Sequence, residues 1–431
     1  MFRVLLNIWK TPDLRGKILF TLGVIVIFRI IAFIPVPGVE PGALRALFAG
    51  SQSFEQIIRL LDLFSGGTLL NFSIVALGLN PYINSSIIMQ LMQFAIPKLE
   101  ELQKEGEYGR QKITQYTRYL TVPLALVQSY GVMILIRRNA PEFLGDLSPL
   151  GLVTIILTMT AGTIFLMWIG ELITEQGIGN GISILIFAGI IARLPVNFGQ
   201  TAQLFNVQNI PTLALILVMG LVVIVVAILI SEGQRRVLIQ YARRVRGNRL
   251  YGGQSTHLPI RVNQAGVIPI IFAISIILLP GMLAEFFATA GTAFIANSAI
   301  AVRDFFANTF YYSAVYFALV IAFTFFYTGV TFNPTKVSDD IKKYGGFIPG
   351  IRPGRSTADY LGFILNRITL VGAVFLGSIA ILPFIATEFT GISTLALGGT
   401  SLLIVVSVVI ETTKQLESQL VMRSYEGFLY K

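Results

Sequence analysis

The 431-residue sequence contains no cysteine, one histidine and two tryptophans, and charged side chains make up only 13% of it. The absence of cysteine excludes disulfides, thiolate nucleophiles and thiolate metal ligands. The lone histidine, His257, stands in the loop QSTHLPIRVN, where packing explains it better than catalysis. There is no HExxH pair, no aspartate pair within an apolar run and no Walker-type phosphate loop. Zinc hydrolysis, intramembrane proteolysis and nucleotide hydrolysis by that route therefore lack their residues. No catalytic residue, metal or cofactor is expected, and anything this chain moves is driven by another component.

The missing charge is replaced by apolar residues, which form 54% of the chain and give a mean hydropathy of +0.75. A soluble domain carries about twice the charge. Apolar runs of roughly 18 or more residues recur, and in hydrocarbon only helices or closed barrels satisfy the backbone. A barrel would read as short alternating segments, so an all-α polytopic membrane protein is expected. Ten transmembrane helices are predicted, at about 18–36, 72–96, 115–136, 149–170, 181–195, 211–231, 264–284, 311–333, 364–387 and 395–411. The first run is too long for the core of a cleavable signal peptide and lacks a small-x-small site. Ahead of it, residues 1–17 read as an amphipathic surface segment. Phe2, Leu5, Leu6 and Trp9 fall on one face, Arg3, Asn7 and Lys10 on another, and the segment ends near Pro12.

Lysine and arginine are unevenly placed. The N-terminus, segments 97–118, 232–262 and 334–367, and the C-terminal tail together hold twenty-five. The alternate segments hold six: Arg45, Arg59, Arg137, Arg138, Arg193 and Arg303. By the positive-inside rule both termini are cytoplasmic. The expected organisation is an N-terminal half, 18–195, a C-terminal half, 196–411, with cytoplasmic loops 232–262 and 334–363, and a cytoplasmic tail, 412–431. Five spans per half is an odd number, so related halves would run in opposite directions with a pathway at their interface. Ion-coupled carriers place ionisable groups at mid-span. Here Glu171, Glu232, Glu388 and Glu411 fall at span ends, and Arg29 is near enough to the outer end of its span to snorkel. A secondary transporter of a small solute is therefore the weaker alternative.

Two segments resist reading as plain spans. LDLFSGGTLLNFSIVALGLNPYINSSIIMQ (61–90) is broken at Gly66-Gly67 and Asn80-Pro81 and then carries Asn84-Ser85-Ser86. GISILIFAGIIARLP follows the turn QGIGNG and is short for a crossing. Interrupted segments mark the substrate path in transporter-like folds. Leu79 and Ile83 are four apart, as are Ile182 and Ile186, so each pair shares a helix face.

The blocks LLDLFSGGTLLNFSIVALGLNPYINSSII, EQGIGNGISILIFAGI, YARRVRGNRLYGGQSTHLPIRVNQAGVIP, GGFIPGIRPGRSTADYL and GGTSLLIVVSVVI resemble the SecY family, the channel subunits of the bacterial protein translocase. The likeness runs from FRIIAFIPVPGVE in the first span to the last span. It implies two inverted five-helix halves around a central hourglass pore. It implies a displaceable plug at about 61–70, including Leu63, Phe64, Ser65, Gly66 and Gly67, in which glycine keeps the helix weak at roughly 1 kcal/mol per site. A mid-membrane pore ring would comprise Leu79, Ile83, Ile182, Ile186, Ile271 and Ile404. A narrow aliphatic ring excludes ions by dewetting while its rotamers adapt to any polypeptide. Asn84, Gln90 and Gln128 would lie on a lateral gate opening to membrane lipids, where such hydrogen bonds are worth roughly 0.6–2 kcal/mol. Arg243, Arg244, Arg246 and Arg249 in one loop, and Arg352 and Arg355 in the GIRPGR turn, would dock the SecA motor ATPase or the ribosome, whose RNA attracts arginine. Further partners implied are SecE, a SecG-type small subunit and the preprotein substrate. The expected location is the cytoplasmic (inner) membrane.

Overall fold

The computed structural model describes residues 11–37, 62, 65–69, 71–139, 148–203, 210–241, 244–246, 249–251, 255–287, 292–390 and 398–429. Helices dominate. The first six are α1 (Pro12–Ile31), α2 (Asn80–Ala95), α3 (Pro97–Lys104), α4 (Glu107–Asn139), α5 (Pro149–Gln176) and α6 (Gly181–Gln203). After α7 (Ile210–Glu232) come the strands β1 (Gln234–Tyr241), β2 (Arg244–Arg246), β3 (Arg249–Tyr251) and β4 (Ser255–Arg261). The chain continues through α8 (Ile268–Phe287), α9 (Ala293–Ala307), α10 (Thr309–Thr331), α11 (Pro334–Lys343), β5 (Gly346–Phe347), α12 (Arg355–Thr390) and α13 (Gly398–Leu429).

Helix starts follow local signals. Proline occupies the first turn of α1, α2, α3, α5 and α11, where its missing N–H breaks no bond. Ser148, Asn180 and Asn333 cap α5, α6 and α11 by accepting from backbone N–H groups. Among the described residues, α5, the helical stretch Thr309–Lys343 that contains α10 and α11, and α12 as far as Ala386 are long and apolar enough to cross a membrane.

Three expectations need correcting. The chain is not all-α. Segment 232–262 contains an antiparallel β1–β4 ladder with Val237 opposite Leu258 and Ile239 opposite Thr256, and β5 pairs on the other edge of β1. The alternation in QRRVLIQY is the reason: Val237 and Ile239 turn inward with Ile260, onto Phe332, Ile341, Ile348, Leu361 and Leu365. Second, the run predicted as a helix over 72–96 is helical only from Asn80; residues 71–79 form successive turns. Phe72 (φ 43°) and Gly78 (φ 58°) hold left-handed backbone there, incompatible with a continuous right-handed helix. Third, no helix ends at 411: α13 continues to Leu429.

The chain divides into two compact units. One comprises residues 1–210, 275–308 and 408–431, the other 211–274 and 309–407. In the first, Val36, Leu69, Phe72, Ala76 and Leu77 pack on Val132, Met133 and Ile136 of α4 and Ile155 and Met159 of α5. Gly162 lets α5 approach the 71–79 turns so closely that a Cβ there would lie 2.0 Å from the Ile74 carbonyl oxygen. In the second, α10 and α12 pack through Phe317 against Gly377 and through Tyr312 and Tyr316 against Phe384.

Candidate functional site

The SGG segment is a knot of satisfied backbone rather than a weak helix. Gly66 (φ 72°) and Gly67 (φ 88°) adopt backbone that other residues rarely reach. The Gly67 N–H donates to the Asp62 carbonyl at 2.9 Å, and the Thr68 hydroxyl donates to the Ser65 carbonyl at 2.9 Å. Ser65 is buried. Leu63 and Phe64 lie outside the described residues, as do residues 1–10 of the expected surface segment.

This segment is held from two helices. From α1, Arg29 Nη1 donates to the Gly66 carbonyl at 2.9 Å. The half-buried side chain thus reaches the SGG segment, with its guanidinium 5.7 and 5.8 Å from the Phe28 and Phe33 ring centres. From α6, Arg193 forms an ion pair with Asp62, whose side chain is fully buried. Arg193 belongs to α6, not to a connecting loop. The segment also lies directly on the α6 backbone: a Cβ on Gly189 would come within 2.5 Å of the Gly66 Cα, and one on Gly67 within 2.6 Å of Arg193 Nε.

Ile182, Ile186, Gly189 and Arg193 recur at i, i+4, i+7 and i+11, within an arc of roughly 60° at 3.6 residues per turn. The expected ring residues of α6 thus share a stripe with the glycine and arginine that seat the SGG segment. Ile186 is buried and Ile182 half-buried. Asp62, Arg29, Gly189 and Arg193 were missed in the sequence. The heptad continuation of Ile182 and Ile186 was a legible signal for the last two. The start of α6 is fixed by QGIGNG. Asn180 caps it, Gly179 (φ 77°) makes the turn, and Gly181 permits an approach that would leave a Cβ 1.8 Å from the Gly170 carbonyl oxygen.

Leu79 is the N-cap of α2 and Ile83 lies in its first turn, its N–H donating to the Leu79 carbonyl at 2.9 Å. Both are buried. On the same helix the Ser85 hydroxyl donates to the Thr117 carbonyl of α4 at 2.7 Å. Asn84 and Gln128 are half-buried. Gln90 donates to the Ser86 hydroxyl at 3.3 Å, and its buried carbonyl oxygen has no partner among the described residues. Gln90 lines a cavity of about 290 Å³ with Tyr82, Gln93, Gln103 and Arg110.

In the other unit, Ile271 and Ile404 are buried on α8 and α13. Arg244, Arg246 and Arg249 are on the short strands β2 and β3, which pair antiparallel; Arg243 lies outside the described residues. The GIRPGR turn is rigidly built. Gly350 (φ 80°) and Gly354 (φ 104°) supply its backbone, the Ser338 hydroxyl donates to the Gly354 carbonyl at 2.7 Å, and Thr357 donates to the Arg352 carbonyl at 2.9 Å. Arg352 and Arg355 stand exposed on it.

Long apolar helices, with an aliphatic stripe ending in a glycine-packed segment and arginine-bearing turns, mark a helical membrane protein. The family model for SecY matches residues 73–413, and the chain belongs to that family. It is 47% identical to the protein translocase subunit SecY of Streptomyces scabiei, over 98% of both chains. Its fold is similar to that of a SecY protein whose plug domain stabilises the closed state of the translocation channel. That likeness has a TM-score of 0.63 at 18% identity and covers 93% of this chain and 91% of the other. The fold also resembles Sec61 in a canine ribosome–channel complex, with a TM-score of 0.59, 18% identity and the same two coverages. The chain is accordingly a membrane channel subunit for protein translocation and not an enzyme.

Proposed function

We propose that unfolded polypeptides pass through this chain by way of a ring made of Leu79, Ile83, Ile182, Ile186, Ile271 and Ile404, sealed at rest by a plug that includes the SGG segment. Ten spans in two inverted halves surround this hourglass pore, both termini are cytoplasmic, and the membrane is the cytoplasmic one. Asn84, Gln90 and Gln128 lie on the lateral gate through which hydrophobic segments leave for lipid. Arg243, Arg244, Arg246, Arg249, Arg352 and Arg355 receive SecA or the ribosome, and SecE and a SecG-type subunit complete the translocase.

The observation that carries this reading is the α6 stripe. Two aliphatic residues are followed, on the same face, by Gly189 in backbone contact with Gly66 and by Arg193 paired with Asp62. A plug must rest against the wall of the pore it closes, and the stripe is such a wall. The test places a photoreactive amino acid at Ile83 or Ile186, in membranes holding a precursor stalled partway across. Crosslinks to the mature part of the precursor, lost without SecA and ATP, are expected. A stalled precursor that never crosslinks to either position would refute the ring.

A further inference from the structure

Helix α9 bridges α8 and α10 in the chain, and it is exposed on almost every side; of its fifteen residues only Ala299 is buried. Its residues are not those of a solvated linker. Wound at 3.6 residues per turn, Phe294, Ile295, Val302, Phe305 and Phe306 collect on an arc of roughly 120°. The opposite arc carries Asn297, Arg303 and Asp304, with the half-buried Ile300 among them. Both arcs are exposed, the apolar one included: Phe294 is 83% exposed and Ile295, Val302 and Phe305 are each at least 40% exposed. A large apolar face left open to water is unfavourable by its whole area.

What can cover it is limited by where the helix is tied. One residue, Asn308, separates its end from Thr309, the first residue of a helix long and apolar enough to cross a membrane. A single extended residue spans only about 3.5 Å. The end of α9 is therefore pinned at the end of a membrane-crossing helix, where hydrocarbon gives way to headgroups. Two more exposed aromatics, Phe310 (74%) and Tyr311 (48%), mark that level, as aromatic rings do at membrane interfaces. Arg303 and Asp304 hydrogen-bond to each other at 3.1 Å, so the polar arc bears no net charge to recruit a charged partner.

We propose that α9 is an interfacial helix, lying in the plane of the membrane with Phe294, Ile295, Val302 and Phe305 in the acyl chains and Asn297, Arg303 and Asp304 facing water. It is a lipid-binding surface outside the spans, independent of the pore assignment. It anchors the α8–α10 connection to the bilayer.

The test uses the full chain with Trp9 and Trp168 replaced by phenylalanine, and one tryptophan introduced by Phe305→Trp or by Asn297→Trp. Each variant is reconstituted into phosphatidylcholine–phosphatidylglycerol vesicles with ordinary or brominated acyl chains. For Phe305→Trp, fluorescence about two-fold lower in brominated lipid and little affected by aqueous iodide is expected, as for a ring at the acyl boundary. Asn297→Trp should show the reverse. Iodide quenching of both sites without a bromine effect would place α9 in water and overturn the proposal. Shielding of Phe305→Trp from both quenchers would mean that protein covers the apolar face, which overturns it equally.

Discussion

A buried ion pair holds its partners in place because each is costly to leave alone. Asp62 is fully inside the protein, and Arg193 is the cation that makes this tolerable. Removing one partner of a buried pair costs about 3–5 kcal/mol, much of it from the charge left behind. Arg193→Ala is therefore expected to release the SGG segment from α6 and raise the ion conductance of resting channels in planar bilayers. Asp62→Asn combined with Arg193→Ala should leak less than Arg193→Ala alone, since no buried charge is stranded. Equal conductance of wild type and Arg193→Ala would show that the pair does not hold the seal. Sequence alone made Gly66 and Gly67 conspicuous but suggested the wrong reason. They were expected to weaken a helix, whereas their backbone is left-handed and packs against Gly189. Asp62 was one acid among twenty-two acidic residues and Arg193 one cation in a list of loop charges; their partnership spans 131 positions and no local pattern encodes it.

Elements were legible where one physical signal dominated. A Ser or Asn cap followed by proline marked the starts of α5 and α11, and the Asn180 cap that of α6. The β-hairpin was missed because its arginines and polar residues drew attention to charge, while the inward Val237, Ile239 and Ile260 needed α11 and α12 to give them a core. The GIRPGR turn shows how an element presents a site. A Cβ on Gly354 would touch nothing, so the glycine is there for its φ of 104° alone. Gly354→Ala is expected to cost roughly 1–3 kcal/mol of local strain and to shift Arg352 and Arg355 together. Titration with the SecA motor should then show a several-fold weaker affinity with helix content unchanged by circular dichroism. An unaltered affinity would separate the turn geometry from docking.

For the whole molecule, charge is distributed more informatively than any single residue. The basic segments carry twenty-five lysines and arginines against six in the alternate segments, and the chain has a formal net charge of +10. If Arg244, Arg246 and Arg249 meet ribosomal RNA, the logarithm of the affinity must fall linearly with the logarithm of salt concentration, with a slope of roughly 0.7–0.9 per phosphate neutralised. Replacing the three with alanine should flatten that slope by two to three, about one unit for each lost contact. Ribosome co-sedimentation across a salt series measures it, and an unchanged slope would remove these residues from the contact.

The sequence by itself determined the membrane character, the uneven spacing of basic segments along the chain and the starts of α5 and α6. These follow from composition, periodicity and capping, which act within a few residues of each position. Only the tertiary structure decided that Arg29 reaches the Gly66 carbonyl, that Arg193 pairs with Asp62, that residues 71–79 are turns and that α9 exposes its apolar face. Such outcomes depend on which surfaces meet across long separations in the chain. A buried charge takes whatever partner the packed helices bring to it, and a glycine shows its purpose only when another backbone arrives where its side chain would have been.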